Sequence, residues 1–228
     1  MGPGSFPAVE MSSGEFIYGR NPVEEARHGR RRVLRVWEAP ETPETKLVDL
    51  CGSEDHQGIV AEVEPFPYVN GSELLQTDDA LVVVLDQIQD PRNLGAICRS
   101  AEAAGATGVV IPDRRAASIT AAAAKASAGA VEHLKIARVR NISDWITEAK
   151  DSGFWVWGAD GHSDQAPWQV DLTGRTALVL GTEEKGLRPR VAESCDGLVA
   201  IPQSGKVDSL NVSVAASILI FEAIRQRS

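Results

Sequence analysis

Polar, glycine-bearing loops follow apolar, strand-like runs in three blocks of the C-terminal two thirds of the sequence. The blocks are Asp90–Ser100, which contains Asn93 and Arg99, then Leu178–Leu187, then Ile201–Ser213. The guanidinium of Arg99 is a poor base, but it is well suited to clamping a phosphate. Ligands of α/β proteins bind at the carboxyl edge of the sheet. The glycine-bearing loops lie late in the chain, so a cofactor site would be built from the C-terminal end of the chain.

The first block predicts a helix that opens near Asn93. Helical spacing puts Arg92 and Arg99 on one face and the apolar residues on the other. The apolar stripe consists of Leu94, Ile97, Ala101 and Ala104. Asn93 is either a functional group or the helix N-cap, and Arg99 is either a substrate ligand or a solubilising charge.

The second block contains the pattern Gly-x-Glu-x-x-Gly between Gly181 and Gly186. A glycine at the end of a strand lets a ligand approach the backbone closely, and we expect this role for Gly181. Glu183 is either an active-site carboxylate or an exposed loop charge. The pattern by itself leaves both interpretations of Glu183 open.

The third block leads into a helix predicted over 210–224, with apolar residues on nearly every side. Such a helix must be buried in a core or in an interface. Asp208 or Ser209 is the expected N-cap, with Asn211 and Ser213 in the first turn. For Ser209 and Asn211, helix capping and contact with a substrate both remain open.

The sequence divides into two units of different character. Residues 14–64 predict a small α/β unit, 65–79 a linker, and 80–228 a larger α/β domain. Strand candidates in the larger domain are Leu81–Leu85, Gly108–Ile111, Phe154–Gly158, Ala177–Leu180 and Leu198–Ile201. Their nearly continuous apolar character is typical of a parallel sheet covered on both faces. No Gly-x-Gly-x-x-Gly follows the first strand, which weakens a dinucleotide-binding interpretation.

The charge distribution bears on a nucleic-acid partner. The 228 residues carry a net charge of −9, which opposes binding to a polyanion. The segment 15–35 is locally basic, with six Arg against three Glu. Its run Gly29-Arg-Arg-Arg32 is either a solvated helix end or an RNA contact, because the local field matters more than the total charge.

The remaining composition excludes several classes of protein. Cys51, Cys98 and Cys195 are far apart and contain no Cys-x-x-Cys pair, which argues against a disulfide framework and against zinc. No apolar run approaches the roughly 20 residues that span a bilayer, so no membrane association is expected. Met1–Ser5 has no signal-peptide pattern, and the cytoplasm is the expected location. His162, without a partner at motif spacing, is interpreted as a surface residue.

Taken together and in this order, the blocks resemble the three motifs of the SpoU/TrmH family of RNA ribose 2′-O-methyltransferases, a branch of the SPOUT superfamily. The resemblance implies a parallel sheet with a C-terminal trefoil knot, and S-adenosylmethionine as cofactor, with no metal. It implies catalytic roles for Asn93, Arg99, Glu183, Ser209 and Asn211. It implies cofactor binding by Leu180, Gly181, Ile201, Pro202 and Leu210. The RNA-binding candidates are Arg20, Arg30, Arg31, Arg32 and Arg92.

The N-terminal unit resembles the L30e/L7Ae-like RNA-binding domain of the longer family members. It departs from them between Glu44 and Cys51, where the chain is too short for the helix and strand expected there. Either the domain is trimmed or the sequence skips a disordered stretch. The resemblance also implies a homodimer whose sites are completed across the interface, and the apolar last helix agrees with such an interface.

The function implied is 2′-O-methylation of a ribose, most simply of a guanosine in 23S rRNA. A tRNA 2′-O-methyltransferase is one alternative, although the Arg-rich N-terminal segment favours rRNA. A non-catalytic RNA-binding protein that keeps the fold is another. In the expected chemistry Arg99 orients the ribose-phosphate, and the phosphate itself can share the hydroxyl proton. Base catalysis by a deprotonated Arg99 is the alternative.

Overall fold

The computed structural model describes residues 14–182, 185–206 and 209–228. The N-terminal unit consists of β1 (Glu15–Tyr18), α1 (Arg20–His28), β2 (Val33–Glu38), α2 (Glu44–Cys51) and β3 (Ile59–Val63). Its strands form an antiparallel sheet in the order β1-β3-β2. Met1–Ser5 lies outside the described residues.

The segment expected to be too short contains a complete helix. Glu44–Cys51 forms α2, which ends at Gly52 in the left-handed conformation, with φ of 68°. The Gly52 N–H closes the helix on the carbonyl of Val48. The segment therefore holds the helix alone, and residues 52–58 between α2 and β3 contain no strand.

The larger unit is built on parallel strands. They are β4 (Val69–Asn70), β5 (Leu81–Leu85), β6 (Gly108–Pro112), β7 (Ile136–Val139), β8 (Trp155–Ala159), β9 (Thr176–Leu180) and β10 (Gly197–Val199). Its helices are α3 (Pro91–Ala103), α4 (Ala121–Ala126), α5 (Ile142–Asp151), α6 (Pro189–Ser194) and α7 (Val212–Arg227). The strand order is β10-β8-β9-β5-β6-β7-β4, and every pairing is parallel, which confirms the predicted parallel sheet.

Sequence analysis did not predict β7 and β4, the two strands at one edge of this sheet. β4 lies inside the segment interpreted as a linker and pairs with β7, so Val69 and Asn70 belong to the sheet. A 3₁₀ turn over Gly71–Leu75 follows, with Leu74 and Leu75 buried. Short strands of this kind carry too few residues for a periodic signal, which explains why the pattern did not show them.

Apolar cores cover both faces of the sheet. All residues of β5 and β9 are buried, as expected for central parallel strands. Leu94 and Leu219 pack on one face and Trp145 and Val191 on the other. The first core continues into the N-terminal unit, including Ile17. In the described part of the chain, no helix is both long and apolar enough to cross a membrane.

Helix caps set the geometry of two motif blocks. The side chain of Asp90 accepts a hydrogen bond from the N–H of Arg92 and caps α3. Asn93 therefore lies inside the helix, and its interpretation as the N-cap was wrong. Asn211, and not Ser209, caps α7, with its side chain accepting from the N–H of Ser213 at 2.9 Å. Asp208, the other cap candidate, lies outside the described residues.

Candidate active site

A cavity of about 350 Å³ opens at the carboxyl edge of the sheet. The loops that follow β8, β9 and β10 form its walls, together with the start of α7. The residues expected to bind the cofactor that line this cavity are Leu180, Gly181, Ile201 and Leu210, and Ser209 lies beside them. Parallel neighbours end at one edge, so segments remote in sequence meet here.

Pro202 lies elsewhere. It is exposed and lines a neighbouring cavity that also contains Trp168. This second space shares Gly161, His162 and Ile201 with the first one, so the two adjoin. His162, interpreted as a surface residue, is exposed but forms part of the cavity wall.

The loop after β9 is closed on itself. The N–H of Thr182 bonds the carbonyl of Gly186 at 3.0 Å, and the reverse bond measures 2.9 Å. A Cβ at Gly181 would collide with the backbone of Gly186 and Leu187. The glycine is thus required by the loop's own backbone, a reason different from the predicted approach of a ligand. Glu183 lies outside the described residues.

A further cavity of about 590 Å³ adjoins the first. It lies between the segment after β5 and the loop after β9, and Asn93 contributes to its wall. Thr182, Lys185, Gly186 and Leu187 line both cavities. A ligand in the first cavity and a polar group beside Asn93 would therefore be neighbours.

Two candidate catalytic amides are joined directly. Nδ2 of Asn211 donates to Oδ1 of Asn93 at 3.0 Å. Asn211 is exposed and Asn93 is partly exposed, so both remain accessible to a substrate. The tertiary structure brings the first and third blocks together at this point, as the prediction of one site requires.

A buried carboxylate fastens the second block to the first. Asp86 follows β5 and is fully buried, and its Oδ1 accepts from Nε of Arg188 at 2.8 Å. Its Oδ2 accepts from the backbone N–H of Arg188 at 3.0 Å. Charge-assisted bonds of this kind hold the loop 181–187 by its C-terminal end. Sequence reasoning assigned neither residue a role.

Arg99 stands apart from these groups within one chain. It is exposed on α3, and it does not line either of the two cavities around Asn93. The neighbouring Ser100 bonds Ser217 of α7 at 2.7 Å, so Arg99 flanks the contact between these helices. Arg99 lies six positions after Asn93 in α3, a rise of about 9 Å.

The RNA-binding candidates fall into two groups. Arg20, Arg30, Arg32 and Arg92 are exposed. Arg31 is buried, where it binds the equally buried Glu132 through two nitrogens and Glu15 at 3.0 Å. Its guanidinium has no free face for a phosphate, so the RNA-binding assignment of Arg31 was wrong. The residue instead joins the N-terminal unit to the larger one.

None of the three cysteines lines the two cavities at the candidate site. Burial raises the pKa of the Cys98 thiol to about 12. Burial, followed by the charge of Asp196, raises that of Cys195 to about 12 as well. Thiols held protonated at neutral pH are inert as nucleophiles. Among the described residues, no group of His, Cys, Asp or Glu could hold a metal ion.

Sequence analysis did not identify several residues that line the first cavity. Asp160 and Gly161 follow β8, and Lys185 lies in the second block. The signal that could have identified Asp160 and Gly161 is their position directly after a strand. Using it required the order of strands in the sheet, which places β8 between β9 and β10.

Comparisons with known proteins agree with this geometry. A protein of Pseudomonas syringae pv. tomato, 23S rRNA (guanosine-2′-O-)-methyltransferase RlmB, is 38% identical over 245 residues, covering 96% of this chain and 98% of that protein. The RlmB of Photobacterium profundum is 43% identical over 185 residues, covering 79% and 76% respectively.

A solved structure shares the architecture. The SpoU methyltransferase AviRb from Streptomyces viridochromogenes, in complex with the cofactor AdoMet, superposes with a TM-score of 0.81 at 27% identity. The superposition covers 95% of this chain and 91% of that one. The sequence pattern of the SpoU rRNA Methylase family matches residues 80–221, which hold all three motif blocks. The chain therefore belongs to the SpoU rRNA Methylase family.

Proposed function

We propose that this protein transfers a methyl group from S-adenosylmethionine to a ribose 2′-hydroxyl of RNA. The ribose belongs to a guanosine of 23S rRNA. The observation that carries the proposal is the junction of Asn93 and Asn211 beside a cavity lined by Gly181, Ile201 and Leu210. The relatives named for guanosine methylation in 23S rRNA cover most of this chain, and AviRb is solved with AdoMet.

The cavity fits an adenosine-sized cofactor. Its volume of about 350 Å³ lies in the usual range for small-molecule sites. Apolar side chains of Leu180, Val199 and Leu210 provide contacts for a planar base, while small residues leave the backbone accessible. S-adenosylmethionine supplies an electrophilic methyl group when bound there.

The residues around the cavity have separate tasks. Asn93, Ser209 and Asn211 hold the ribose so that its hydroxyl lies in line with the methyl group. Arg99 clamps an adjacent RNA phosphate, and a phosphate oxygen accepts a hydrogen bond from the hydroxyl and shares its proton as the methyl group is transferred. Glu183, from the second block, supports the substrate or Arg99. The proposed mechanism needs no metal, because the residues of the chain hold the reactants in line.

The active unit in this proposal is a homodimer. Val214, Ile218 and Phe221 form an apolar stripe on α7, with exposed fractions of 47%, 39% and 49%. Such a stripe is costly in water, and a symmetric partner would cover it. Arg99 borders the same helix pair, so a partner chain there would bring Arg99 into a composite site.

The finer architecture is part of the same proposal. The segment after β10 passes beside the loop after β9 to form the shared cavity, which supports a C-terminal trefoil knot. The sheet β1-β3-β2 with its two helices supports a shortened L30e/L7Ae-like unit at 14–64. The methyltransferase domain is proposed at 80–228, and the predicted linker at 65–79 contributes β4 to its sheet. Three free cysteines support a cytoplasmic location.

Methyl transfer to RNA tests the function. Labelled S-adenosylmethionine and the protein are incubated with total bacterial RNA, the RNA is fractionated, and the modified nucleotide is mapped. Label at the 2′-oxygen of a 23S rRNA guanosine is the expected result. Label confined to tRNA would replace the substrate with the tRNA alternative. Cofactor-independent RNA binding without any transfer would leave the non-catalytic alternative.

A further inference from the structure

Exposed arginines continue outward from Asn93 along the carboxyl edge of the sheet. They are Arg92 after β5, Arg114 and Arg115 after β6, and Arg140 after β7. We propose that these four residues, the arginine edge, bind phosphates of the RNA that flanks the target nucleotide. This inference rests on the proposed function, since it presumes an RNA substrate.

The fold makes the arginine edge one surface. β5, β6 and β7 are adjacent and parallel, so their ends lie side by side. The N–H of Asp113 bonds the carbonyl of Val139 at 2.9 Å, which holds the loop after β6 against the end of β7. The N–H of Ala117 bonds the carbonyl of Ile88 at 2.8 Å, which holds the other end of that loop against the segment after β5.

The charges of the arginine edge are available to a ligand. Across the described residues, none of its four guanidiniums makes a hydrogen bond or an ion pair, whereas Arg175, Arg188 and Arg225 are all paired. The backbone of Arg115 has a φ of 59°, a conformation that is uncommon for residues other than glycine.

The acidic groups at this edge leave the field positive. The Asp90 carboxylate is engaged with the Arg92 backbone N–H. Glu73 is exposed but bonds the backbone N–H of Asn70, and Asp113 is exposed in the loop itself. The four guanidiniums therefore outnumber these three exposed carboxylates, two of which already accept backbone hydrogen bonds. This local excess offsets the net charge of −9 where the substrate enters.

RNA suits the arginine edge better than a small anion. Guanidiniums that follow neighbouring strands can each bind a different phosphate of one RNA chain through two hydrogen bonds. The arginine edge begins at α3, next to the cavity beside Asn93, so a strand with its target ribose in the site would continue along it.

Fluorescence anisotropy with a labelled RNA hairpin of mixed sequence tests the proposal. The triple variant Arg114→Gln/Arg115→Gln/Arg140→Gln is compared with the wild type over a series of salt concentrations. Each phosphate contact adds about 0.7 to 0.9 to the slope of log K against log[salt], so we expect the slope to fall by about 2. Affinity at low salt should fall about tenfold or more.

A matched control lies at the other end of the same strand. Lys135 directly precedes β7 and is exposed at the amino edge of the sheet, whereas Arg140 directly follows β7. Lys135→Gln removes the same charge and should leave affinity and salt slope unchanged. Equal losses in Lys135→Gln and Arg140→Gln would overturn the proposal, because the effect would then be one of total charge.

The experiments distinguish an error in the arginine-edge proposal from an error in the proposed function. If the triple variant binds the hairpin like the wild type and both methylate total RNA, the proposed function stands and the arginine edge is overturned. If the wild type neither binds the hairpin nor methylates RNA, both proposals fail. Circular dichroism confirms that each variant is folded, as expected for exposed side chains.

Discussion

The amide of Asn211 donates to the amide oxygen of Asn93 at 3.0 Å, across 118 residues of sequence. The same Asn211 side chain caps α7 by accepting from the N–H of Ser213. One residue thus starts a helix and joins two motif blocks. The capping and substrate interpretations of Asn211, which sequence left open, are compatible in a single geometry.

Asn211→Ser separates these two roles. Serine can still cap α7 but is too short to reach Asn93, so the thermal midpoint should stay near that of the wild type while methyl transfer falls at least about tenfold. Asn211→Ala loses the cap as well and should cost about 1 kcal/mol of unfolding free energy. Thermal melts and initial rates measure both. Full activity in the serine variant would contradict the catalytic role.

Arg99→Ala should abolish methyl transfer and leave cofactor affinity nearly unchanged, because Arg99 does not line the cavity assigned to the cofactor. Arg99→Lys should restore little activity, since an ammonium cannot form the planar two-bond contact with a phosphate. Single-turnover rates and titration calorimetry with S-adenosylmethionine separate the two effects. Near-normal turnover of the alanine variant would remove Arg99 from the site.

Arg188→Ala should lower the free energy of unfolding by about 2 kcal/mol, because it leaves the buried Asp86 carboxylate unpaired while Arg188 itself is partly solvated. Cofactor affinity should fall too, since the loop 181–187 loses its attachment. Asp86→Asn/Arg188→Ala removes the buried charge and should be more stable than Arg188→Ala alone. Urea unfolding measures this order, and equal stability of both variants would contradict it.

Ile218→Glu should give a folded monomer with little activity, because Ile218 is exposed in the single chain and lies in the stripe assigned to the interface. Leu219→Glu, one residue away but buried in the core, should instead unfold the protein. Light scattering and circular dichroism distinguish these outcomes. A dimer that persists in Ile218→Glu would place the interface elsewhere, and a fully active monomer would refute the composite site.

Cys98 should resist alkylation at about pH 8 until the protein unfolds, because burial raises its pKa to about 12 and keeps the thiol protonated. The unfolded thiol titrates near 8.5, so the folded state binds the proton more tightly and stability falls as pH rises above that value. Mass spectrometry after a labelling pulse, with and without urea, measures protection. Rapid native labelling of Cys98 would show that α3 opens locally.

The sequence by itself indicated the family and the parallel sheet. Three blocks in a fixed order, and strands such as Leu81–Leu85 with continuous apolar character, are local patterns that burial on two faces imposes on the chain. The buried stripe of α3, with Leu94, Ile97 and Ala101, follows from helical spacing alone. The resemblance to the family, and not the spacing, pointed to Leu180, Gly181, Ile201 and Leu210, which line one cavity.

Contacts between distant segments were decided only by the tertiary structure. Arg31 belongs to a basic run that is typical of a solvated surface, yet its side chain is buried in an ion pair with Glu132. Asp86 and Arg188 meet across 102 residues, and the arginine edge exists because β5, β6 and β7 are neighbours in the sheet. Local patterns record the period and burial of an element, whereas the partner of a charged side chain depends on strand order, which no local pattern contains.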